Sequence, residues 1–350
     1  MGEATSILGI MSGTSLDGID LALCKFGEKS EPFFIQKAVT IPYPPEWTSK
    51  LRKAEHCTGK ELILLHREYG KYLGALCREF LGEVASKDRP SYISSHGHTI
   101  FHEPQHGLTF QLGCGASLAV AAGIDTISDF RITDVARGGQ GAPLVPIGDA
   151  TLFSGYTYCL NLGGFINISY DENGKRLAYD IAPLNYVMNR IASREHLAYD
   201  AGGALAARGN YIDDLGEQLD QLDYYSQSAP KSLGREWVEQ FITPLLHERY
   251  SSADILHTFC VHAARQTAKC CTNKGTMLIT GGGAYNTFFI EELKKVCLPE
   301  IVLPSNAVIE FKEALVFAYP GLLRVQGNVN ALSSVTGATM DSISGSIFKV

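Results

Sequence analysis

The chain has 350 residues, of which 45% are apolar and 19% are charged. This composition is typical of a globular protein, and the length exceeds the usual size of a single core, so we expect two domains. The net charge of −7 at pH 7 argues against a nucleic-acid or anionic-membrane surface, so local loops and a metal would have to hold any anionic ligand.

The nine cysteines are scattered along the chain, apart from the neighbours Cys270 and Cys271. An odd number of cysteines without a secretion signal is typical of reduced, buried thiols, and it predicts a cytoplasmic protein. The first residues carry no basic segment, and no apolar run approaches membrane-spanning length. We therefore expect neither a signal peptide nor a membrane-spanning segment.

The first part of the chain predicts a mixed sheet covered by helices. Apolar residues alternate in the strand-like runs and recur every three to four residues in the helix-like ones. In chain order the predicted elements are strands at 6–11, 19–26 and 33–41, a helix at 59–86, strands at 91–95 and 109–112, and a helix at 116–122.

The turn between the first two strands carries almost no side-chain bulk. Gly13 and Gly18 permit close approach of the backbone, and the small polar residues around Gly13 can surround a phosphate with N–H groups and hydroxyls. These residues are Ser12, Thr14 and Ser15. An ordinary hairpin turn is the alternative. Asp17 and Asp20 favour the phosphate interpretation, because they would repel a phosphate unless a Mg²⁺ ion lay between them and it.

The second part repeats this organisation. Its predicted elements are strands at 156–162 and 166–170 around a Gly163-Gly164 turn, a helix at 252–271, a strand at 277–280, a Gly281-Gly282-Gly283 turn and a helix at 288–296. Two glycine-turned hairpins indicate an internal duplication, and two similar lobes would leave a nucleotide cleft between them. The triple glycine lets the backbone approach a base or a phosphate, whereas the dinucleotide fingerprint is not matched cleanly.

The segment Ser95-His96-Gly97-His98 is predicted as a loop after a short strand. Histidines this dense can bind a polar substrate or a metal, or they can simply support the loop. No cysteine or carboxylate lies at ligand spacing, so substrate hydrogen bonding is favoured over zinc.

Arg131 and Asp180 are the other candidates for chemistry. Arg131 can pair with a substrate carboxylate, although a structural salt bridge with Asp129 or Asp134 fits the spacing equally well. The glycine-rich segment 138–143 can be a hinge, a phosphate nest or a turn. Asp180 ends a predicted strand and is a candidate general base.

Taken together, these segments resemble the family of anhydro-N-acetylmuramic acid kinases, in the family's order and over nearly the whole chain. The segments are Met11-Ser12-Gly13-Thr14-Ser15-Leu16-Asp17-Gly18, Ser95-His96-Gly97, Asp129-Phe130-Arg131, Gly138-Gly139-Gln140-Gly141-Ala142-Pro143, Asn161-Leu162-Gly163-Gly164, Lys231-Ser232-Leu233-Gly234-Arg235-Glu236, Gly281-Gly282-Gly283-Ala284 and Glu313-Ala314.

The resemblance implies an α/β protein with the two-lobed, actin-like fold that sugar kinases, heat-shock ATPases and actin share. In that fold mixed sheets are flanked by helices, and a nucleotide cleft lies between the lobes. We expect an N-terminal lobe over residues 1–128, on which the C-terminal tail has room to pack, and a C-terminal lobe over residues 129–350. The resemblance also implies a cytoplasmic enzyme of cell-wall recycling, which uses ATP and water to convert 1,6-anhydro-N-acetylmuramic acid to N-acetylmuramic acid 6-phosphate and ADP.

The resemblance assigns roles position by position. Asp180 is expected to be the base that activates water, and Asp17 and Asp20 are expected to reach Mg²⁺ directly or through water. The expected sugar contacts are His96, Arg131 and Glu313. The expected nucleotide contacts are Ser12, Gly13, Thr14, Ser15, Asp17, Gly163, Gly164, Gly281, Gly282, Gly283 and Asn286. ATP and the sugar are the expected partners, with no nucleic acid and no membrane, and a homodimer is left open.

The chain departs from the family pattern in a few places. Ile181-Ala182 stands where Thr-Gly is usual after the base, and His98 stands where Gln is usual. Pro320 is expected to kink or end the helix that follows Glu313. A non-catalytic sugar-and-nucleotide sensor and a chaperone-like ATPase of the same superfamily are the alternative functions.

Overall fold

A computed structural model describes residues 4–13, 16–27 and 33–350 of the chain. Contacts group the chain into two units, one of Met1–Leu152 with Phe311–Val350 and the other of Phe153–Glu310. Each unit encloses an apolar core of its own around a β-sheet.

Strands and helices alternate along much of the chain, with short 3₁₀ turns between several of them. The strands are β1 (Thr5–Ser12), β2 (Ile19–Phe26), β3 (Phe33–Ile41), β4 (Tyr92–Glu103), β5 (Leu108–Leu112), β6 (Thr126–Ser128), β7 (Tyr158–Leu162), β8 (Phe165–Glu172), β9 (Lys175–Pro183), β10 (Thr276–Thr280), β11 (Glu300–Val302) and β12 (Ser346–Phe348). The helices are α1 (Pro45–Lys53), α2 (Gly59–Phe80), α3 (Gly115–Ala122), α4 (Ile132–Ala136), α5 (Pro146–Leu152), α6 (Asn185–Ala192), α7 (Asp213–Asp220), α8 (Arg235–Trp237), α9 (Ser252–Cys270), α10 (Thr287–Val296), α11 (Asn306–Gln326) and α12 (Ser333–Thr336).

The first unit is built on a seven-stranded mixed sheet in the order β12-β6-β4-β1-β2-β3, with β5 paired to β4. β1, β2 and β3 form an antiparallel meander, whereas β4 lies parallel to β1. The middle of β1 is a continuous apolar run because consecutive residues there are buried on both faces of the sheet. The pairing places Ser12, at the end of β1, opposite His98 of β4.

Helix α2 packs its apolar face into the core of the first unit. Thr58 and Glu61 begin the helix with a capping box, in which each side chain bonds the backbone N–H of the other. Tyr69 and Leu73 are fully buried on the inner face. The helix was expected to extend to residue 86, but it ends at Phe80, because a 3₁₀ turn follows.

The second unit is built on a five-stranded mixed sheet in the order β11-β10-β7-β8-β9. β7, β8 and β9 form an antiparallel meander, and β10 lies parallel to β7. This is the topology of β4-β1-β2-β3 in the first unit, with the glycine-turned hairpin in the same place. The repeated topology supports the predicted duplication. Phe259 of α9 and Phe289 of α10 are fully buried in the core of this unit.

The division into units differs from the boundary after residue 128 that the sequence indicated. Residues 129–152 stay with the first unit, since Thr336 donates a hydrogen bond to Asp134 at 2.7 Å and a β-carbon on Gly148 would lie 2.7 Å from Val316. The C-terminal tail belongs to the same unit, because β12 pairs with β6.

The α/β class with mixed sheets and flanking helices is confirmed. The expected break at Pro320 is absent from α11, which continues to Gln326 and has its non-helical residue at Phe311. The Ser94 hydroxyl donates to the Phe317 carbonyl at 2.5 Å, which ties the turn before Pro320 to β4. Within the three described ranges, no helix combines the length and apolarity needed to cross a membrane.

Candidate active site

Ser12, at the end of β1, is held by a buried network of hydroxyls. Its Oγ lies 2.5 Å from the Tyr43 hydroxyl and 3.0 Å from His98 Nδ1, and it accepts a hydrogen bond from the Tyr69 hydroxyl at 2.9 Å. A serine hydroxyl can donate one hydrogen bond and accept two, so these three partners occupy all of its hydrogen-bonding positions. Burial lowers the pKa of His98 to about 4, so the imidazole is neutral at neutral pH. The side chain of Ser12 therefore anchors the end of β1, where Ser12 pairs with Ile19 of β2 and with His98 of β4.

The turn after Ser12 is tight. The Leu16 N–H donates to the Gly13 carbonyl at 3.3 Å, and Leu16 has a φ of +62°. Asp17 follows with an exposed side chain. Thr14 and Ser15, both expected to contact phosphate, lie outside the described residues. The geometry accordingly leaves Gly13 and Asp17 accessible from solvent at this turn.

Asp20 and Glu313 are carboxylates of the first unit that influence each other. Asp20 Oδ1 accepts a hydrogen bond from Thr40 at 2.6 Å. Burial raises the pKa of the Glu313 carboxyl, and the charge of Asp20 raises it further, whereas Lys312 and Arg131 lower it. A cation beside Asp20 would relieve this repulsion. Among the described residues no three metal-ligating side chains converge.

His96 and Arg131 contact each other directly. His96 Nδ1 donates to the Gly97 carbonyl at 2.8 Å, and Nε2 accepts from Nε and Nη2 of Arg131 at 2.9 and 2.8 Å. Burial lowers the pKa of His96 well below its usual range, and the Arg131 charge lowers it further. His96 is consequently neutral, with its proton on Nδ1.

The histidine segment lies in β4, not in the loop that the sequence predicted. Gly97 has a φ of +75°, and the pairing of β1 with β4 shifts register at this point, so a β-bulge absorbs the irregularity while the strand continues. The bulge leaves His96 and His98 both buried, the first beside Arg131 and the second beside Ser12.

The glycine-rich segment 138–143 forms a turn that supports Arg131. Nη1 of Arg131 donates to the Gly141 carbonyl at 2.5 Å, and the Gly141 N–H donates to Asp134 at 2.7 Å. Arg131 thus bonds His96 and Gly141 and makes no salt bridge with Asp134. Burial lowers the pKa of Arg131 to about 10, and Glu313 raises it, which places Glu313 within electrostatic reach. The structure thereby brings His96 and Arg131 into direct contact, and the charge of Glu313 acts on Arg131.

Asp180 lies on β9 with both carboxylate oxygens engaged. Asn167 of β8 donates from Nδ2 to Oδ1, and the Leu233 N–H donates to Oδ2 at 2.8 Å. The Tyr224 hydroxyl donates to the Asp180 carbonyl at 2.6 Å, and the Asp180 N–H bonds the Lys231 carbonyl at 3.2 Å. Burial raises the pKa of Asp180, and the Leu233 and Asn167 hydrogen bonds lower it. The result is an oriented carboxylate with a raised pKa, as a general base requires.

The Gly163-Gly164 turn is joined to the start of α6. The Gly164 carbonyl accepts from Leu184 and Tyr186 at 2.8 and 3.2 Å, and the Gly163 carbonyl accepts from Asn185 at 3.3 Å. A β-carbon on Gly164 would meet no heavy atom closer than 3.7 Å, so the outer side of the turn is open.

The triple-glycine turn lies against the end of β7, next to the Gly163-Gly164 turn. Gly281 has a φ of +84°, and its β-carbon would lie 2.6 Å from Asn161 Oδ1, whereas a β-carbon on Gly282 would meet nothing within 4 Å. A β-carbon on Gly283 would lie 2.7 Å from Leu162. Asn286 is buried, and its side-chain oxygen accepts from the Phe289 N–H at 3.0 Å as the cap of α10.

Gly281 and Gly282 make a matched pair of substitutions. We expect Gly281→Ala to reduce the free energy of unfolding by about 1–3 kcal/mol, because its backbone conformation is one that side chains rarely adopt. We expect Gly282→Ala to change that free energy by less than ~0.5 kcal/mol, yet to weaken ADP binding if the backbone approaches the nucleotide. Denaturant unfolding and ADP calorimetry measure the two effects. Unchanged ADP affinity in Gly282→Ala would remove Gly282 from the nucleotide site.

Several residues beside these groups were not singled out from the sequence. Asn167, Leu233 and Tyr224 surround Asp180, and Tyr43 and Tyr69 surround Ser12. The segment 231–236 belonged to the family resemblance but carried no role. Of these residues, only Asn167 had a local signal in the sequence, because it lies in the predicted strand that precedes Asp180.

A family profile and individual relatives of known name identify the same protein family. A profile of the family described as anhydro-N-acetylmuramic acid kinase matches residues 5–350. The anhydro-N-acetylmuramic acid kinase of Shewanella sediminis is 33% identical over 364 residues, covering 97% of this chain and 98% of that protein. The one of Pseudomonas putida is 34% identical over 363 residues, with the same coverage of 97% and 98%. The activator of the 2-hydroxyisocaproyl-CoA dehydratase from Clostridium difficile, a solved structure, covers 92% of this chain and 97% of its own at 11% identity, with a TM-score of 0.45.

Proposed function

The chain belongs to the anhydro-N-acetylmuramic acid kinase family, and from this premise we propose that it uses ATP and water to convert 1,6-anhydro-N-acetylmuramic acid to N-acetylmuramic acid 6-phosphate and ADP. The reaction opens the 1,6-anhydro bridge of the sugar and phosphorylates the oxygen that this releases. It serves the recycling of peptidoglycan in the cytoplasm.

The setting of Asp180 is the observation that carries the proposal. Asn167 and the Leu233 N–H orient the carboxylate, and each of its oxygens keeps a lone pair, because a carboxylate oxygen can accept two hydrogen bonds. Asp180 takes a proton from the water that attacks the anomeric carbon. The bond from that carbon to O6 breaks, and O6 bonds the γ-phosphorus of ATP as ADP leaves. An activated water on one side and an electrophile on the other are what cleavage of an acetal bridge needs.

The sugar contacts follow from the cluster in the first unit. Arg131 donates three hydrogen bonds, to His96 and Gly141. Because a guanidinium has five N–H donors, Arg131 retains two for the lactyl carboxylate of the substrate. Glu313, with its raised pKa, serves as a contact for hydroxyl or amide groups of the sugar. Both ring nitrogens of His96 are bonded, to Gly97 and to Arg131, so His96 contributes to the sugar site by holding Arg131.

The nucleotide contacts come from the glycine turns. We assign the phosphates to Ser12, Gly13, Gly163 and Gly164, and also to Thr14 and Ser15, which follow Gly13 in the sequence. The turn from Gly281 to Gly283 and the side-chain amide of Asn286 bind the rest of the nucleotide. Asp17 and Asp20 would hold Mg²⁺, directly or through water, and the ion would neutralise charge on the phosphates.

Incubating the protein with MgATP and 1,6-anhydro-N-acetylmuramic acid tests this function. We expect the sugar to gain one water and one phosphoryl group in its mass spectrum, and ADP release to depend on the sugar. ADP release at the same rate without sugar would instead indicate a chaperone-like ATPase. Tight sugar binding without ADP release would indicate a sensor.

A further inference from the structure

A cationic side chain of the second unit lies near the Gly163-Gly164 turn. Arg235 is exposed, and its guanidinium carbon lies 5.7 Å from the centre of the Tyr186 ring. Within the described part of the chain, the Arg235 side chain makes no hydrogen bond and no ion pair. Lys231, in the same segment, is by contrast engaged, since its Nζ donates to the Tyr224 carbonyl at 3.0 Å. Arg235 is thus a charge of this segment that remains available to a ligand.

The ring that supports Arg235 is fixed to the turn. The Tyr186 N–H donates to the Gly164 carbonyl at 3.2 Å, and the Tyr186 ring stacks on the Phe165 ring with centroids 5.9 Å apart. Phe165 directly follows the turn, so both rings are held where β8 and α6 begin. A guanidinium lying on Tyr186 is therefore kept beside the turn that we assign to the phosphates.

Charges around Tyr186 are already balanced without Arg235. Glu239 accepts hydrogen bonds from Arg190 at 2.7 Å and from the Tyr186 hydroxyl at 3.2 Å. The carboxylate that bonds Tyr186 is consequently paired with another arginine, Arg190. The segment that carries Arg235 also orients the base, because the Leu233 N–H donates to Asp180 at 2.8 Å.

We infer that Arg235 is a catalytic residue that leaves the face of Tyr186 to contact the γ-phosphoryl group of ATP during its transfer. This inference rests on the proposed function and deepens it. The bond from the γ-phosphorus to the leaving oxygen of ADP breaks while the bond to the sugar O6 forms, and Arg235 keeps all its protons. A planar guanidinium matches the phosphoryl oxygens on which negative charge accumulates, and an arginine so placed commonly contributes on the order of 10³–10⁵ to kcat.

Arg235→Met tests the inference, because methionine keeps an unbranched chain over Tyr186 and removes the charge. We expect kcat to fall by on the order of 10²–10⁴, with the sugar KM nearly unchanged. Calorimetry should give an affinity for a non-hydrolysable ATP analogue at least ~10-fold weaker, while the ADP affinity changes by less than ~3-fold. Arg235→Lys should recover part of kcat, since a lysine supplies the charge without the planar pair of donors.

Arg249→Met is the matched control, since Arg249 is also exposed and lies 4.7 Å from the ring of Tyr250. It should leave every parameter unchanged. An unchanged kcat in Arg235→Met, an equal loss of ADP and analogue affinity, or a rise in the sugar KM alone would each overturn the inference. The calorimetric measurements with ADP and the ATP analogue need no sugar. If the protein bound nucleotide but left the sugar unphosphorylated, the proposed function would be refuted. The difference in analogue affinity between Arg235→Met and the unmodified protein would still test the contact of Arg235 with the γ-phosphate.

Discussion

Asp180→Asn is expected to reduce turnover by on the order of 10²–10⁴ and to leave ATP binding nearly unchanged. The substitution removes the proton acceptor, and its effect goes beyond the lost charge. Both oxygens of Asp180 accept N–H donors, from Asn167 and from Leu233, so the N–H₂ of an asparagine would face one of those donors. Steady-state kinetics with saturating MgATP and sugar measures the loss. Near-normal turnover would remove Asp180 from the role of base.

Asp223→Asn is the control for this substitution, because Asp223 is exposed and close in sequence to the partners of Asp180. It should retain full activity. Asn167→Ala should retain the base but orient it less well, with a smaller loss than Asp180→Asn.

The pH dependence of kcat/KM distinguishes an effect on the orientation of Asp180 from an effect on its pKa. A base must be deprotonated, so kcat/KM falls as the pH drops through the pKa of Asp180, which burial raises. Asn167 donates a hydrogen bond that lowers this pKa, so its removal should move the acid limb to higher pH. If the fall of kcat/KM at low pH occurred at the same pH in Asn167→Ala, a group other than Asp180 would be responsible for that fall.

Arg131→Ala is expected to weaken binding of 1,6-anhydro-N-acetylmuramic acid by roughly 2–5 kcal/mol, because a desolvated carboxylate loses its charged partner. An analogue without the lactyl group has no carboxylate for Arg131, so its affinity should hardly change. Calorimetry with both sugars measures the difference. Equal losses for the two sugars would assign Arg131 a structural role, in which it only holds His96 and Gly141.

Arg137→Ala is the matched control, since Arg137 follows α4 and bonds the carbonyl of Asp341 at 2.5 Å. It removes an arginine from the same region without touching the proposed sugar contacts. Its sugar affinity should equal that of the unmodified protein. The imidazole pKa of His96 gives a second readout, because it should rise in Arg131→Ala, where the charge that lowers it is gone.

Local sequence patterns predicted the two meanders well. Alternating apolar residues specify strands, and glycines between them specify turns, so β1, β2, β7 and β8 lie close to their expected positions. The histidine segment was predicted as a loop, since a glycine between two histidines has no strand-like pattern. Pairing of β4 with both β1 and β5 keeps it in the sheet, and long-range pairing of this kind has no local signature.

The surroundings of the site depend on contacts distant in sequence. Leu233 reaches Asp180 from a separate segment, and Asn167 reaches it across a strand pair with a bulge. The division by contacts differs from the expected boundary for the same reason. Lys312 of α11 forms a buried ion pair with Asp149 of α5 at 2.7 Å, which ties residues before 152 to residues after 311.

The fate of water oxygen tests the central claim most directly. Turnover in ¹⁸O-water with MgATP and 1,6-anhydro-N-acetylmuramic acid should place the label on the anomeric carbon of the product and not in phosphate, with one ADP formed for each bridge opened. This follows because the water attacks carbon while O6 takes the γ-phosphoryl group. Label in inorganic phosphate would mean that the protein is a plain ATPase. A phosphorylated sugar with its bridge intact would mean an ordinary kinase, and either result would contradict the account.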